Sequence, residues 1–154
     1  MSRKAQMLSK AIALASEKFT GKLDKGGRPY ILHCIHVMHN VKKNDDELKC
    51  IAVLHDVIED TDVTADDLRA LGMSDRVIDG VLAMTHEDGE SYEDYIKKLS
   101  SNIDSVIVKK EDLRHNSDIT RIKGLRDKDI ARIEKYHRAY THLCVVEQNY
   151  FFGG

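Results

Sequence analysis

Apolar residues recur along this chain at three- and four-residue steps, the period of an amphipathic helix. Met7, Ala11, Leu14 and Ala15 form one such stripe before Gly21 interrupts it. KLDKGGRP, residues 22–29, is rich in turn formers and ends at the only proline. From Tyr30 the stripe resumes with Ile31, Ile35, Met38 and Val41, a second helix. Ile51, Leu54, Val57 and Ile58 mark a third, with Asp45 or Asp46 as its N-cap. Thr64 followed by Asp67 has the form of a capping box opening a short helix that ends near Gly72. Ser74 caps the next, whose apolar face is Val77, Ile78, Val81 and Leu82. HEDGE breaks that helix and SYEDYIKKL begins another. Ile103, Val106 and Ile107 lead into KKEDLRHN, and a last long helix runs from Asp127 to about Val146.

IDSVIVKK has β-branched content, but no second segment with period-two alternation offers it a partner, and a lone strand leaves its backbone unsatisfied. The pattern predicts an all-α protein of about seven helices, one domain over residues 1–154 with a C-terminal tail at 147–154. Composition changes this picture little. Hydrophobic residues are 42% and charged residues 32%, ordinary for a folded globular chain. A net charge of −2 gives no basic field for a nucleic-acid duplex or an anionic membrane, and no apolar run reaches spanning length. The first nineteen residues mix polar positions at helical spacing, which reads as a helix and not a signal peptide. Cys34, Cys50 and Cys144 are odd in number and widely spaced, as expected of reduced thiols in a cytoplasmic protein. Oligomeric state is not written in the pattern.

Candidate chemistry sits inside the helices. LHDVIEDTD, residues 54–62, brings His55, Asp56, Glu59 and Asp60 together. On a continuous helix, turning about 100° per residue, these four share one broad face. Three acids near a helix C-terminus oppose its dipole, so a compensating cation is expected. YILHCIHVMHN carries His33, His36 and His39 on an otherwise apolar helix. Their spacing does not let all three reach one ion, and His33, directly after the proline turn, is the economical single ligand. VKKEDLRHN puts Asp112 and Asn116 on one face, four apart. Two histidines and two carboxylates suit Mn²⁺, Fe²⁺ or Zn²⁺ better than Ca²⁺. His86 reads as a loop residue, and His137 and His142 as surface or packing residues of the last helix.

Taken together, PYILH, HDVIEDT and VKKEDLRHN resemble the HD superfamily of metal-dependent phosphohydrolases, and within it RelA/SpoT-type hydrolase domains and stand-alone small alarmone hydrolases. The likeness runs over about residues 8–140, which leaves no room for a synthetase domain and makes the stand-alone form the closer comparison. It implies a helical HD-domain bundle and a Mn²⁺-dependent 3′-pyrophosphohydrolase acting on guanosine tetra- and pentaphosphate, a small nucleotide and no duplex. It further implies that His33, His55, Asp56 and Asp112 hold the ion, with Fe²⁺ or Zn²⁺ as substitutes. Glu59 and Asp60 match the pair that handles the attacking water. Lys25, Lys109, Asn116, Arg132 and Tyr136 match substrate-facing positions. Cys34, Asp24, Leu113 and Phe19 depart from the pattern. Asp24 stands where an arginine packs on guanine, and Leu113 where an arginine follows the aspartate. The changed nucleotide shell keeps two alternatives in view: a phosphohydrolase for another nucleotide (NADPH or a nucleoside monophosphate), and a low-turnover regulator or antitoxin.

Overall fold

Most helices start where a short polar side chain can take an orphan amide. In the computed structural model, which describes residues 1–41 and 44–153, Ser2 caps α1 (Arg3–Lys18) by accepting from the Ala5 amide. Asp45 caps α3 (Asp46–Leu54) by accepting from Leu48. The expected capping box forms at α5 (Ala65–Leu71), with Thr64 and Asp67 exchanging both bonds, and Gly72 closes it at φ +98°. Ser74 caps α6 (Asp75–Ala83), Ser91 caps α7 (Tyr92–Leu99) and Asn102 caps α8 (Ile103–Asn116). α2 (Ile31–Asn40) begins without a side-chain cap, just after the proline turn. Among the described residues there is no strand, only an isolated antiparallel bridge between Leu23 and Pro29. Residues 103–110 are helical, as expected.

α3 is the centre. Cys50 through Leu54 are all buried, so this helix has no solvent face over its last turn. α1, α2 and α6 pack around it. α6 comes so close that a Cβ on Gly80 would stand 2.5 Å from the Ile51 side chain. A second, smaller core lies between α7, α8 and α9 (Asp127–Phe152), built on Tyr95, Leu99, Leu113 and Leu143. α8 serves both cores: Val108 packs in the first, Val106 and Leu113 in the second. Leu113 therefore has a packing role.

Three expectations need correcting. The third helix is not continuous, because it stops at Leu54 and a single turn, α4 (Val57–Asp60), follows. The Ala52 carbonyl, which a continuing helix would offer to the Asp56 amide, accepts the ring Nδ1–H of His55 at 2.6 Å. The final helix continues past Val146 to Phe152, so residues 147–152 are its last turns and not a tail. Leu82 is 42% exposed and lies off the buried face of α6. Cys34 and Cys50 are buried, Cys144 is half-buried, and none is in a disulfide. Burial pushes the Cys34 and Cys50 thiols up to about 12, which leaves them unreactive packing residues.

Candidate functional site

The helix break, the start of α2 and the middle of α8 meet at one point. His33 comes from the first turn of α2, His55 and Asp56 from the α3–α4 junction, and Asp112 from α8. One ligand atom from each of the four lies within 4.8 Å of all the others, so the group could hold a metal ion. His33 Nε2 is 2.9 Å from Asp112 Oδ1. His55 Nε2 is 3.0 Å from Asp56 Oδ2 and 3.3 Å from Asp112 Oδ1. Neither approach is aligned as a hydrogen bond, and His55 Nε2 is a buried polar atom without a partner. With Nδ1–H committed to the Ala52 carbonyl, Nε2 is the ring atom turned to two carboxylates, where a proton or a metal ion on that nitrogen balances their charge. The convergence of four ligand atoms fits a divalent cation.

The charges around this point are strongly coupled. Burial works against the charged form of His55, but Asp56 and Asp112 override it and raise its pKa well above the usual imidazole range. Burial would likewise raise Asp112, yet the Lys109 and His55 charges and the His33 hydrogen bond hold it well below the usual carboxylate range. Lys109 Nζ is 2.9 Å from Asp112 Oδ2, and Asn116 Nδ2 donates to Asp112 Oδ1 at 2.9 Å. The Tyr30 hydroxyl donates to Asp56 Oδ2. Behind His33, its Nδ1 lies 2.7 Å from His115 Nδ1. His115 in turn stacks on His36 at 3.8 Å between ring centroids, while His39 faces solvent.

Glu59 and Asp60 flank the group from α4, close enough to Asp56 for a second carboxylate cluster. Glu59 Oε1 accepts the His86 amide at 2.7 Å. The protein packed round its carboxyl raises its pKa; the His86 amide opposes this, and the Asp56 and Asp60 charges add to it. Asp60 pairs with Lys22 at 3.1 Å. His86 is an exposed loop residue, and His137 and His142 are exposed on α9, as expected.

One cavity opens on the group and a second lies beside it. The larger one, about 330 Å³, carries Lys25, Asn116, Arg132 and Tyr136 of the expected substrate residues, together with Tyr30 and Arg121. The smaller one, about 160 Å³, contains Asp56, Glu59, Asp112 and Lys109. Asn116 and Tyr136 line both. Lys109 therefore shares the smaller cavity with Asn116 and Tyr136 and is set apart from Lys25 and Arg132. Asp24 does not reach for a base: its carboxylate accepts the Gly26 and Arg28 amides at 2.9 and 2.8 Å and pairs with Arg121 at 3.0 Å. Phe19 packs edge-on against Tyr30 at 5.0 Å.

Sequence reasoning passed over Tyr30, His115 and Arg121. Tyr30 and His115 each lie three residues from an expected ligand, one before His33 and one after Asp112, a helical spacing that could have flagged them. Arg121 sits in a 3₁₀ turn (Ile119–Arg121) between α8 and α9, where no periodicity points to it.

Fold and donor set together define a helical domain with a buried His–His–Asp–Asp group fit for a divalent cation. No protein-family model matches the chain. It is similar to a GTP pyrophosphokinase of Myxococcus xanthus, 28% identical over 125 residues, and to a probable guanosine-3′,5′-bis(diphosphate) 3′-pyrophosphohydrolase of Synechocystis sp., 25% identical over 122. Each alignment covers 71% of this chain but 16% of the relative, so the chain spans about a sixth of the length of these proteins. Its fold matches a solved structure described as a metazoan ortholog of SpoT that hydrolyzes ppGpp and plays a role in starvation responses. That match has a TM-score of 0.72 at 20% identity and covers 89% of this chain and 84% of the other. The all-α bundle that the motifs implied is the fold observed, and it is shared with that solved structure.

Proposed function

We propose that the chain is a divalent-metal-dependent hydrolase that removes diphosphate from the 3′ position of guanosine tetra- and pentaphosphate, with Mn²⁺ as its ion. The observation that carries this is the convergence of His55 Nε2, buried and without an aligned hydrogen bond, with His33, Asp56 and Asp112. The relative named as a probable guanosine-3′,5′-bis(diphosphate) 3′-pyrophosphohydrolase supports the substrate class, and the one named as a GTP pyrophosphokinase supports a guanine nucleotide. A divalent ion bound there neutralises phosphoryl charge and makes a water more acidic.

The chain's own residues supply the rest. Glu59 is reachable by solvent, its pKa is raised towards neutrality, and it is held by the His86 amide, so it orients a water and accepts its proton. Asp60, anchored by Lys22, fixes the other side of that water's position. The water oxygen bonds to the phosphorus carried on the 3′ oxygen, the P–O3′ bond breaks, and the 3′ oxygen takes up a proton. Diphosphate and GDP or GTP result. Lys25 and Arg132 bind the 5′ phosphates in the larger cavity, and Asn116 and Tyr136 hold the sugar where the two cavities join. Lys109 keeps Asp112 ionised. A nucleotide substrate places this work in the cytoplasm.

A second reading has one specific observation behind it. Asp24 occupies the position where the resembled family places an arginine on guanine, and its carboxylate is engaged by Arg121, which favours another nucleotide, such as NADPH or a nucleoside monophosphate. Purified protein incubated with Mn²⁺ and guanosine tetraphosphate should yield GDP and pyrophosphate. Glu59→Gln should slow this by about 10²- to 10⁴-fold while metal still binds, and Asp56→Ala should lose both metal and activity. No turnover of guanosine tetraphosphate, with release of phosphate from NADPH or a monophosphate, would move the assignment to the second reading. Nucleotide binding that is indifferent to Glu59→Gln, with no turnover of any of them, would identify a regulator.

A further inference from the structure

The smaller cavity has one wall that the proposed reaction does not use. Opposite its carboxylates stand Tyr92, at the start of α7, and Lys135, on α9. The Tyr92 hydroxyl is buried and has no hydrogen-bond partner, an uncommon state for a native polar group. Lys135 Nζ lies 4.5 Å from the centre of the Tyr92 ring and 5.5 Å from that of Tyr136, so its ammonium sits over both rings. It forms no ion pair with any described residue. The neighbouring cations differ: Lys22, Lys109, Arg121 and Arg132 are paired with Asp60, Asp112, Asp24 and Asp129. Of the cations lining the two cavities, Lys25 in the larger and Lys135 in the smaller are left without an acid. Burial lowers the Lys25 pKa, and the nearby charges of Arg132, Lys128 and Lys135 lower it further against the opposing pull of Asp129.

A donor without an acceptor, beside a cation without an anion, describes a site for an acidic oxygen ligand. With one cationic pole in each cavity, and Asp56 and Asp112 beside the one at Lys135, the ligand carries separate acidic groups at its two ends. We propose that Tyr92 and Lys135 form a subsite for the terminal phosphate of the 3′-diphosphate, holding the product diphosphate after the P–O3′ bond has broken. The inference rests on the proposed hydrolase reading and extends it to residues outside the three motifs. It also accounts for a diphosphate being taken as one unit: a single phosphoryl group at the His–Asp group would leave both residues idle.

The test is equilibrium titration of the metal-loaded protein, at buffered free Mn²⁺, with inorganic pyrophosphate, orthophosphate and GDP. Tyr92→Phe keeps the ring and removes only the hydroxyl; Lys135→Gln removes the charge and keeps most of the stem, and Lys135→Arg restores it. Each of the first two should weaken pyrophosphate roughly tenfold, with GDP changed less than about twofold and Lys135→Arg recovering most of the loss. Thermal unfolding of each variant separates loss of the subsite from loss of the fold. Pyrophosphate affinity within twofold of the parent in both folded variants would overturn the subsite. So would an equal loss for orthophosphate, which would mean a site for a single phosphate. Dependence of pyrophosphate binding on Tyr92 and Lys135 in a protein that does not hydrolyse guanosine tetraphosphate would leave the subsite standing and sink the hydrolase reading. Turnover without that dependence would do the reverse.

Discussion

His55 and His33 present the same ring nitrogen to the centre but are held in different ways. The Ala52 carbonyl can only accept, so it fixes the proton of His55 on Nδ1. His33 has another imidazole behind it, and its Nδ1–H can donate to His115 Nδ1 only while His115 lacks a proton there. Burial, with the facing charges of Arg121, His33 and His36, lowers the His115 pKa to about 4 and keeps it neutral. Unfolded, the same residue titrates near the ordinary value of about 6.5, so as pH falls the unfolded chain binds the proton first. His115 should therefore take stability away between about pH 6.5 and 4, on the order of 1–2 kcal/mol once screening is allowed for. Urea unfolding across that range should show a shallower loss in His115→Gln than in the parent. Tyr30 supports Asp56 in the same indirect way. Tyr30→Phe should keep the fold and weaken Mn²⁺ binding about tenfold or more in a calorimetric titration.

Among the elements, the loop at residues 22–29 most depends on neighbours distant in sequence. Asp24 folds it by accepting two of its own amides, and Arg121 ties that carboxylate to the 3₁₀ turn beyond α8. Gly26 lies flat against the same turn: a Cβ there would stand 2.4 Å from the Arg121 carbonyl oxygen, a backbone atom that cannot swing aside. Gly26→Ala should cost about 1–3 kcal/mol of stability and raise KM for the nucleotide with a smaller change in kcat, because the loop walls the larger cavity while the His–Asp group lies elsewhere. A steady-state analysis separates the two. The α3–α4 break is a comparable device. It lets adjacent residues, His55 and Asp56, both turn towards the α2 and α8 side chains, where an unbroken helix would splay them by about 100°.

Across the whole molecule, the site sits where two hydrophobic cores share one helix, α8. Arg76 pins that helix at its start. From α6 it reaches Asp104 in the first turn of α8 and Asp45 and Glu47 at the start of α3, with contacts of 2.8–3.1 Å. Arg76→Met would leave three carboxylates facing one another. The expected loss is about 1–2 kcal/mol, moderate because the guanidinium is partly exposed, and smaller in high salt. Denaturant titrations at two ionic strengths would show both effects. The net charge of −2 conceals the distribution that matters, since the cavity walls gather the cations while the His–Asp group and α4 gather the acids.

The hydrophobic period and the capping residues determined nearly every helix, because both act within a few residues of chain. They marked Thr64, Ser74 and Gly72 with no knowledge of the fold. The three motifs also named His33, His55, Asp56 and Asp112, since those residue types are costly to bury without a common purpose. The tertiary structure alone decided the rest. A ring nitrogen competing for the Ala52 carbonyl broke the third helix. Burial on two sides gave Leu113 to the second core, and an arginine nearly a hundred positions away turned Asp24 inward. The support of His33 by His115 and the pairing of Tyr92 with Lys135 arise only when α2, α7, α8 and α9 are packed together. Local sequence sets local backbone, but contacts between distant segments depend on packing that no window of the chain contains.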